Sequence, residues 1–167
     1  MRLLIPLRST MSRLRKPKSP TDPATERDDF EDQRSLTRKQ VHDMLRRKEP
    51  LANADLRGLD LSGLSFEGVN LVNAKFGDAK LMKCSFRFAD LRGASFWNAD
   101  MREATLDNAT LDEADFDYCN LDSVSFKDAK IRKTMFPLKR LPLEAIQRSI
   151  KTGQRVRMEP MRHDDEE

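Results

Sequence analysis

The stretch ADLRGLDLSGLSFEGVNLVNAKF, Ala54 to Phe76, places Leu or Phe at Leu56, Leu61, Phe66, Leu71 and Phe76. The step is five. An α-helix repeats near 3.6 residues and a simple strand every two, so neither accounts for it. The step continues without a break through Leu81, Phe86, Leu91, Phe96, Met101, Leu106, Leu111, Phe116, Leu121, Phe126, Ile131 and Phe136. All these centres are large and apolar in a chain that is only 38% apolar. Two residues ahead of each centre runs a second series. It is Ala at 54, 74, 79, 89, 94, 99, 104, 109, 114 and 129, and elsewhere Leu59, Leu64, Val69, Cys84, Cys119, Val124 and Thr134. Neither series contains a charge.

Residues two apart on an extended chain point to the same side. The small residue and the centre therefore face inward together. The residues between a centre and the next small one face outward or turn. Gly, Asn or Asp often takes the turning place, as at Gly58, Gly63, Gly68, Asn73, Asp78, Gly93, Asn98, Asn108 and Asp128. Each pentapeptide is one short wall and one bend, and walls that keep bending one way wind into a coil. Phe recurs at 76, 96, 116 and 136 and at 66, 86 and 126, while aliphatic residues fill the other two columns. Sorting at period twenty predicts four walls per turn, with like side chains stacked on like. Stacked at the strand spacing of about 4.8 Å, the walls form ladders. Small residues beside the centres leave room for four large side chains in a narrow bore.

The A-(D/N)-L-x-x pattern, plain in ADLRGASFWNADMREATLDNATLDEADF, resembles the pentapeptide repeat family over residues 54–136. The resemblance implies an all-β fold, a right-handed quadrilateral parallel β-helix of about four coils. With it go short capping helices and a disordered N-terminal tail. It implies little about function, because the family is functionally mixed. A hexapeptide β-helix would need a step of six, and its acyltransferases carry a histidine in the coil. Here the step is five, and His42 and His163 both fall outside it.

The expected organisation has five parts. Residues 1–34 form a disordered basic and polar tail, with four prolines and too few large apolar residues to fold. Residues 35–50 form an N-terminal capping helix. Thr37 with Gln40 makes a capping box, Val41, Met44 and Leu45 share a face, and Pro50 ends the helix. Residues 51–137 are the coil. Residues 138–153 form a C-terminal helix, starting at Pro142, turning Leu143, Ile146 and Ile150 inward and stopping at Gly153. Residues 154–167 are a disordered polar tail.

Composition narrows the function classes. The 167 residues carry 35% charge, yet the net is only +3, which names neither nucleic acid nor membrane as partner. No apolar run approaches the eighteen or so residues of a membrane span. Two cysteines without a C-x-x-C make no disulfide framework and no zinc site. Both lie in the small-residue series, where burial makes a thiol inert. The aspartates before the centres (Asp55, Asp60, Asp90, Asp100, Asp115) occupy a repeat position and are expected to bond to the bends. There is no phosphate loop and no metal spacing. The reading is a non-enzyme without cofactor or metal.

Two surface features remain. From Glu103 to Phe126 there are seven acids and no Lys or Arg. Among them Asp107, Asp112, Asp117 and Asp122 each follow a centre and would point out from all four walls as a belt. The family includes proteins that protect DNA gyrase by imitating duplex DNA, typically as dimers. Here residues 51–136 hold 11 Lys/Arg and 14 Asp/Glu, a net of −3. Duplex DNA carries a charge every ~1.7 Å, so the belt reads first as a solvated surface and only second as a mimic. The other feature is apolar. Val72, Met82, Phe88, Trp97 and Tyr118 sit where the pattern asks for polar or turning residues, and exposed aromatics and Met suit a binding patch. Trp97 and Tyr118 fall on one wall, one turn apart, and lead as the contact for an unidentified protein partner.

The function expected is an interaction scaffold, with a topoisomerase-binding DNA mimic as runner-up and an organelle-targeted repeat protein third. A homodimer through the C-terminal helix is a further expectation. The basic residues Arg2, Arg8, Arg13, Arg15, Lys16 and Lys18 could touch nucleic acid or an anionic surface, but no aromatic interleaves them, so sequence-specific or single-strand recognition is not expected and nucleic acid is not the partner favoured. The expected location is the cytoplasm, or a mitochondrion or plastid if residues 1–20 are a transit peptide.

Overall fold

A residue that must turn the chain every fifth step needs a left-handed backbone, and the coil has one in every repeat. The structure, a computed structural model, describes residues 36–160. In it the second residue after each centre has φ between 55° and 75°, from Gly58 through Lys133. Gly, Asn and Asp take this conformation at little cost. Between corners three residues stay extended: the small one, an outward one and the centre. The outward residue bridges in parallel to its equivalent twenty residues on, as in Asp55 to Lys75 and Lys75 to Ser95. Twenty residues per turn at five per wall makes four walls. We call them A (Leu56, Phe76, Phe96, Phe116, Phe136), B (from Leu61), C (from Phe66) and D (from Leu51).

The three-residue walls are too short for continuous strands, and each contributes single bridged residues. Turns are joined all the same by a regular ladder. The Lys75 amide donates to the Ala54 carbonyl (2.9 Å) and the Leu56 amide donates to the Lys75 carbonyl (2.8 Å). The Gly58 amide donates to the Gly77 carbonyl across the corner (2.9 Å), and the pattern repeats down the coil.

Inside, the centres from Leu51 to Phe126 are buried, and the Ala series is buried from Ala74 onward. In the first turn Ala54, Leu59, Leu64 and Val69 are only partly buried. The phenylalanines of wall A stack at 4.9, 4.8 and 5.5 Å from Phe76 down to Phe136. Wall C faces them edge-on, as in Phe76 with Phe86 at 5.8 Å. Leu106 interrupts its column between Phe86 and Phe126. Each such aromatic pair adds about 0.5–1.5 kcal/mol beyond the area it buries.

Helix α1 (Arg38–Arg46) begins on a complete capping box. The Gln40 amide donates to Thr37 Oγ1 (3.3 Å) and the Thr37 amide to Gln40 Oε1 (2.8 Å). Val41 is buried in the common core. The helix ends before Pro50 is reached, because Lys48 already turns left-handed at φ 56°. Helix α2 (Leu143–Thr152) has Pro142 as N-cap rather than first helical residue, and stops at Gly153, φ 74°. Its Ile146 is buried and Ile150 half-buried, but Leu143, expected inward, is 44% exposed. Ser149 takes the buried place instead.

The segment expected to be a free tail from residue 154 differs over residues 154–160, which lie along the coil. Val156 is buried and pairs at the corner between walls B and C: the Ser123 amide donates to its carbonyl, and its amide donates to the Val124 carbonyl, both at 2.8 Å. The cause is the open end of the coil, whose last amides need acceptors. The expected tail 1–34, the leader within it, and residues 161–167 with His163 lie outside the described residues.

Candidate functional site

Bends put side chains outward, and the apolar candidates all sit at them. Walls alternate with four corners, and the five residues distribute over all four. Val72 follows wall D, Met82 wall B, Phe88 wall C, and Trp97 and Tyr118 wall A. Val72 and Met82 are half-buried, and Met82 Sδ lies 3.5 Å from an Nη of Arg102. Phe88 is exposed under the Arg87 guanidinium, 5.7 Å from its ring centroid.

Only Trp97 and Tyr118 come together. Their ring centroids are 5.9 Å apart at 64°, an edge contact, with 47% and 74% of the residues exposed. Tyr118 holds a left-handed corner at φ 59°. An aromatic there costs about 1 kcal/mol or more that Gly or Asn would avoid. The same wall continues apolar toward its C-terminal end. Met135 bridges to Asp115 and is 51% exposed, and Leu138, just past Phe136, is 55% exposed. Sequence reasoning missed both. The signal was Met at an outward place that Asp, Asn, Ser or Thr mostly fills.

The acidic belt is engaged with its own chain. Asp107 accepts from the Ser125 hydroxyl (2.5 Å) and the Lys127 amide (3.1 Å). Asp112 accepts from the Arg132 amide (3.0 Å). Asp122 accepts from the Met158 amide (3.2 Å) and the Ser123 hydroxyl (3.1 Å), with Arg157 at 3.8 Å. Asp117 is half-buried. Three of the four carboxylates thus stitch the last turn and the segment after α2.

The aspartates ahead of the centres bond to the bends, as their position predicts. Asp55, Asp90 and Asp100 each take two side-chain bonds from the arginine two residues on, between 2.6 and 2.9 Å. Those bonds hold all three carboxyls below their ordinary pKa despite partial burial. Burial drives the Cys84 thiol up to about 11 and that of Cys119 well above its ordinary value, so neither is a thiolate at neutral pH. Among the described residues no group of three His, Cys, Asp or Glu is placed to hold a metal, and no helix is long and apolar enough to cross a membrane.

The geometry can now be set against known proteins. A family profile described as pentapeptide repeats matches eight copies, over residues 51–87 and 89–128. Residues 51–87 and 89–128 are pentapeptide repeats. Among solved structures of that family, Rfr23 of the cyanobacterium Cyanothece 51142 is 30% identical, with a TM-score of 0.52 over 53% of this chain and 61% of that one. HetL of Nostoc sp. strain PCC 7120 is 31% identical, with a TM-score of 0.52 over 53% of this chain and 41% of that one. A protein of the Arabidopsis thaliana thylakoid lumen is 38% identical, with a TM-score of 0.47 over 48% of this chain and 56% of that one. This pentapeptide repeat chain therefore spans about two fifths to three fifths of the length of those relatives. No curated protein matches it.

Proposed function

We propose that this chain is a non-catalytic, right-handed four-sided solenoid that serves as a scaffold for a protein partner. The observation that carries the reading is the exposed Trp97–Tyr118 pair, with Tyr118 held at a left-handed corner. Rigid aromatics lose little side-chain entropy on binding, and a ladder-bonded coil presents them preorganised. Met135 and Leu138 extend the same apolar wall. HetL, described as involved in the regulation of heterocyst differentiation, is a relative whose described role is regulatory. Imitation of DNA for a topoisomerase is the weaker reading, because Asp107, Asp112 and Asp122 already bond within the chain. For pairing through α2, the helix leaves little apolar face, since Ile146 is buried against its own coil.

The test is affinity capture from a cell extract with the native chain, Trp97→Ala and Tyr118→Ala side by side. A protein recovered by the native chain and lost by about tenfold or more with each variant supports the scaffold. Equal recovery with all three removes this wall from consideration.

A further inference from the structure

A coil of parallel walls has two ends with unpaired backbone, and this chain treats them differently. At the C-terminal end the exposed amides find acceptors outside the coil. Phe126 donates to Ser149 Oγ (3.1 Å), Asp128 to the Ile150 carbonyl (3.0 Å) and Ser123 to the Val156 carbonyl (2.8 Å). Leu121 donates to Met158 Sδ (2.9 Å). Leu121 thus meets the Met158 side chain and Ser123 the Val156 backbone, so the segment runs in the opposite direction to the chain it covers, past the corner between walls B and C.

The N-terminal end is covered only in part. On wall B the Arg38 guanidinium donates to the Asp60 and Ser62 carbonyls (2.5 and 3.0 Å). Wall C has no such cover among the described residues. In the regular ladder a bridging residue points both its amide and its carbonyl toward the preceding turn, and the corner carbonyl follows. At Ser65 and Glu67 no earlier turn answers among the described residues, whereas Asn70, round the next corner on wall D, already lies against Leu51, whose amide donates to its carbonyl (2.9 Å). The Ser65 amide and carbonyl and the Glu67 carbonyl meet no partner among the described residues. One donor and two acceptors thus lie along the Ser65 to Glu67 edge of wall C.

They open into a cleft of about 820 Å³ between α1 and this edge. Its apolar lining is Leu45, Leu64 and Val69, all partly buried. A side chain built on Gly63 or Gly68 would meet nothing within 4 Å, so the approach is clear. Two cations flank it. Arg46 ends α1 and Lys48 follows at its left-handed turn, and neither meets a carboxylate among the described residues. Glu49 is taken by Arg47 at 3.6 Å, which leaves Glu67 as the one unpaired acid among the described lining residues.

We propose that this cleft binds an extended peptide carrying carboxylates, paired along the Ser65 to Glu67 edge of wall C. Backbone pairing supplies the fit, the apolar floor takes alternate side chains, and Arg46 and Lys48 select acid. At the C-terminal end the coil's edge already takes backbone bonds from an extended segment, at Val156. The site lies apart from the Trp97–Tyr118 wall and does not depend on it.

The probe is a fluorescent, end-blocked five-residue peptide alternating valine and glutamate, offered to the full chain. Polarisation measures binding, and amide proton exchange by NMR locates it. Saturating peptide should slow exchange at Ser65 by about tenfold or more. Methylating alternate backbone nitrogens of the peptide should weaken binding about tenfold, the effect of one lost hydrogen bond. The double variant Arg46→Glu, Lys48→Glu should weaken it by a similar factor, while Trp97→Ala changes nothing. No binding at about 1 mM peptide, protection mapping elsewhere, or an N-methylated peptide that binds equally well overturns the proposal. So does protection of Ser65 that rises with protein concentration alone, which would make a second copy the occupant.

Discussion

Phe96 stacks between Phe76 and Phe116 at 4.9 and 4.8 Å and meets Phe86 edge-on at 6.0 Å. It is fully buried, and in a bore this narrow the walls cannot close over a missing ring. The Phe96→Ala chain should therefore lose about 3–5 kcal/mol, removed transfer energy plus a cavity. Equilibrium urea unfolding with an unchanged slope would measure it, and a loss under ~1 kcal/mol would mean that the bore repacks. The corners obey a different rule. Their side chains point outward, so size is free, but the backbone is left-handed and favours Gly or Asn. Phe88 and Tyr118 break that preference at φ 59° each. Tyr118 touches Trp97 and Phe88 lies under Arg87, so both have a contact that the turn alone does not require.

Between the residue and the whole coil stand the two short helices, each tied to an edge by a few polar groups. Ser149 is the sharpest case. It is a small polar residue on the inward side of α2, fully buried, with its hydroxyl oxygen accepting from the Phe126 amide. Removing it leaves a buried N–H with no acceptor, a penalty of about 1–3 kcal/mol. Ser149→Ala should be destabilised by that amount in thermal unfolding, and Ser149→Thr, which keeps the oxygen, by less. Equal stability of Ser149→Ala would mean that water reaches the amide. At the other end Arg38 does the converse, supplying donors to the carbonyls of Asp60 and Ser62. The two edges need opposite chemistry because the ladder has a direction. On each end the chain places the matching side chain.

At the scale of the molecule the charges nearly cancel, and what matters is their arrangement. Asp55, Asp90 and Asp100 pair with Arg57, Arg92 and Arg102 at 2.6, 2.7 and 2.7 Å. These carboxyls titrate below their ordinary value because the arginine side chains bond the charged form. A carboxyl whose folded pKa is depressed adds stability above its unfolded pKa, near 4, and loses that contribution as pH falls through the lower folded value. The urea midpoint should thus stay level from about pH 7 to 5 and fall below about pH 4. The triple Asp→Asn variant at positions 55, 90 and 100 should show a shallower acid decline. An acid decline as steep in that variant as in the native chain would place the sensitive carboxyls elsewhere. Each pair is partly exposed, so solvent screens it and the individual effects are small.

Much of this molecule could be read from its letters, for a physical reason. Contacts between turns are periodic: the residue that meets Ser95 is Lys75, twenty places before it, and periodicity is visible in a string. The inward series, the stacked phenylalanines, the left-handed corners and the contact of Trp97 with Tyr118 all follow from that arithmetic. Local chemistry was equally plain in the Thr37–Gln40 box and in Gly153. What sequence could not supply are the contacts that break the period. Ser149 with Phe126, Val156 with Ser123 and Arg38 with Asp60 join places whose spacing has no rule. So do the bonds that tie Asp107 and Asp122 of the supposed belt to their own chain, and the edge at Ser65 that no described residue covers. Repetition sets the interior of a solenoid, but where it stops, each loose backbone group must find its own partner, and only the folded chain decides which one.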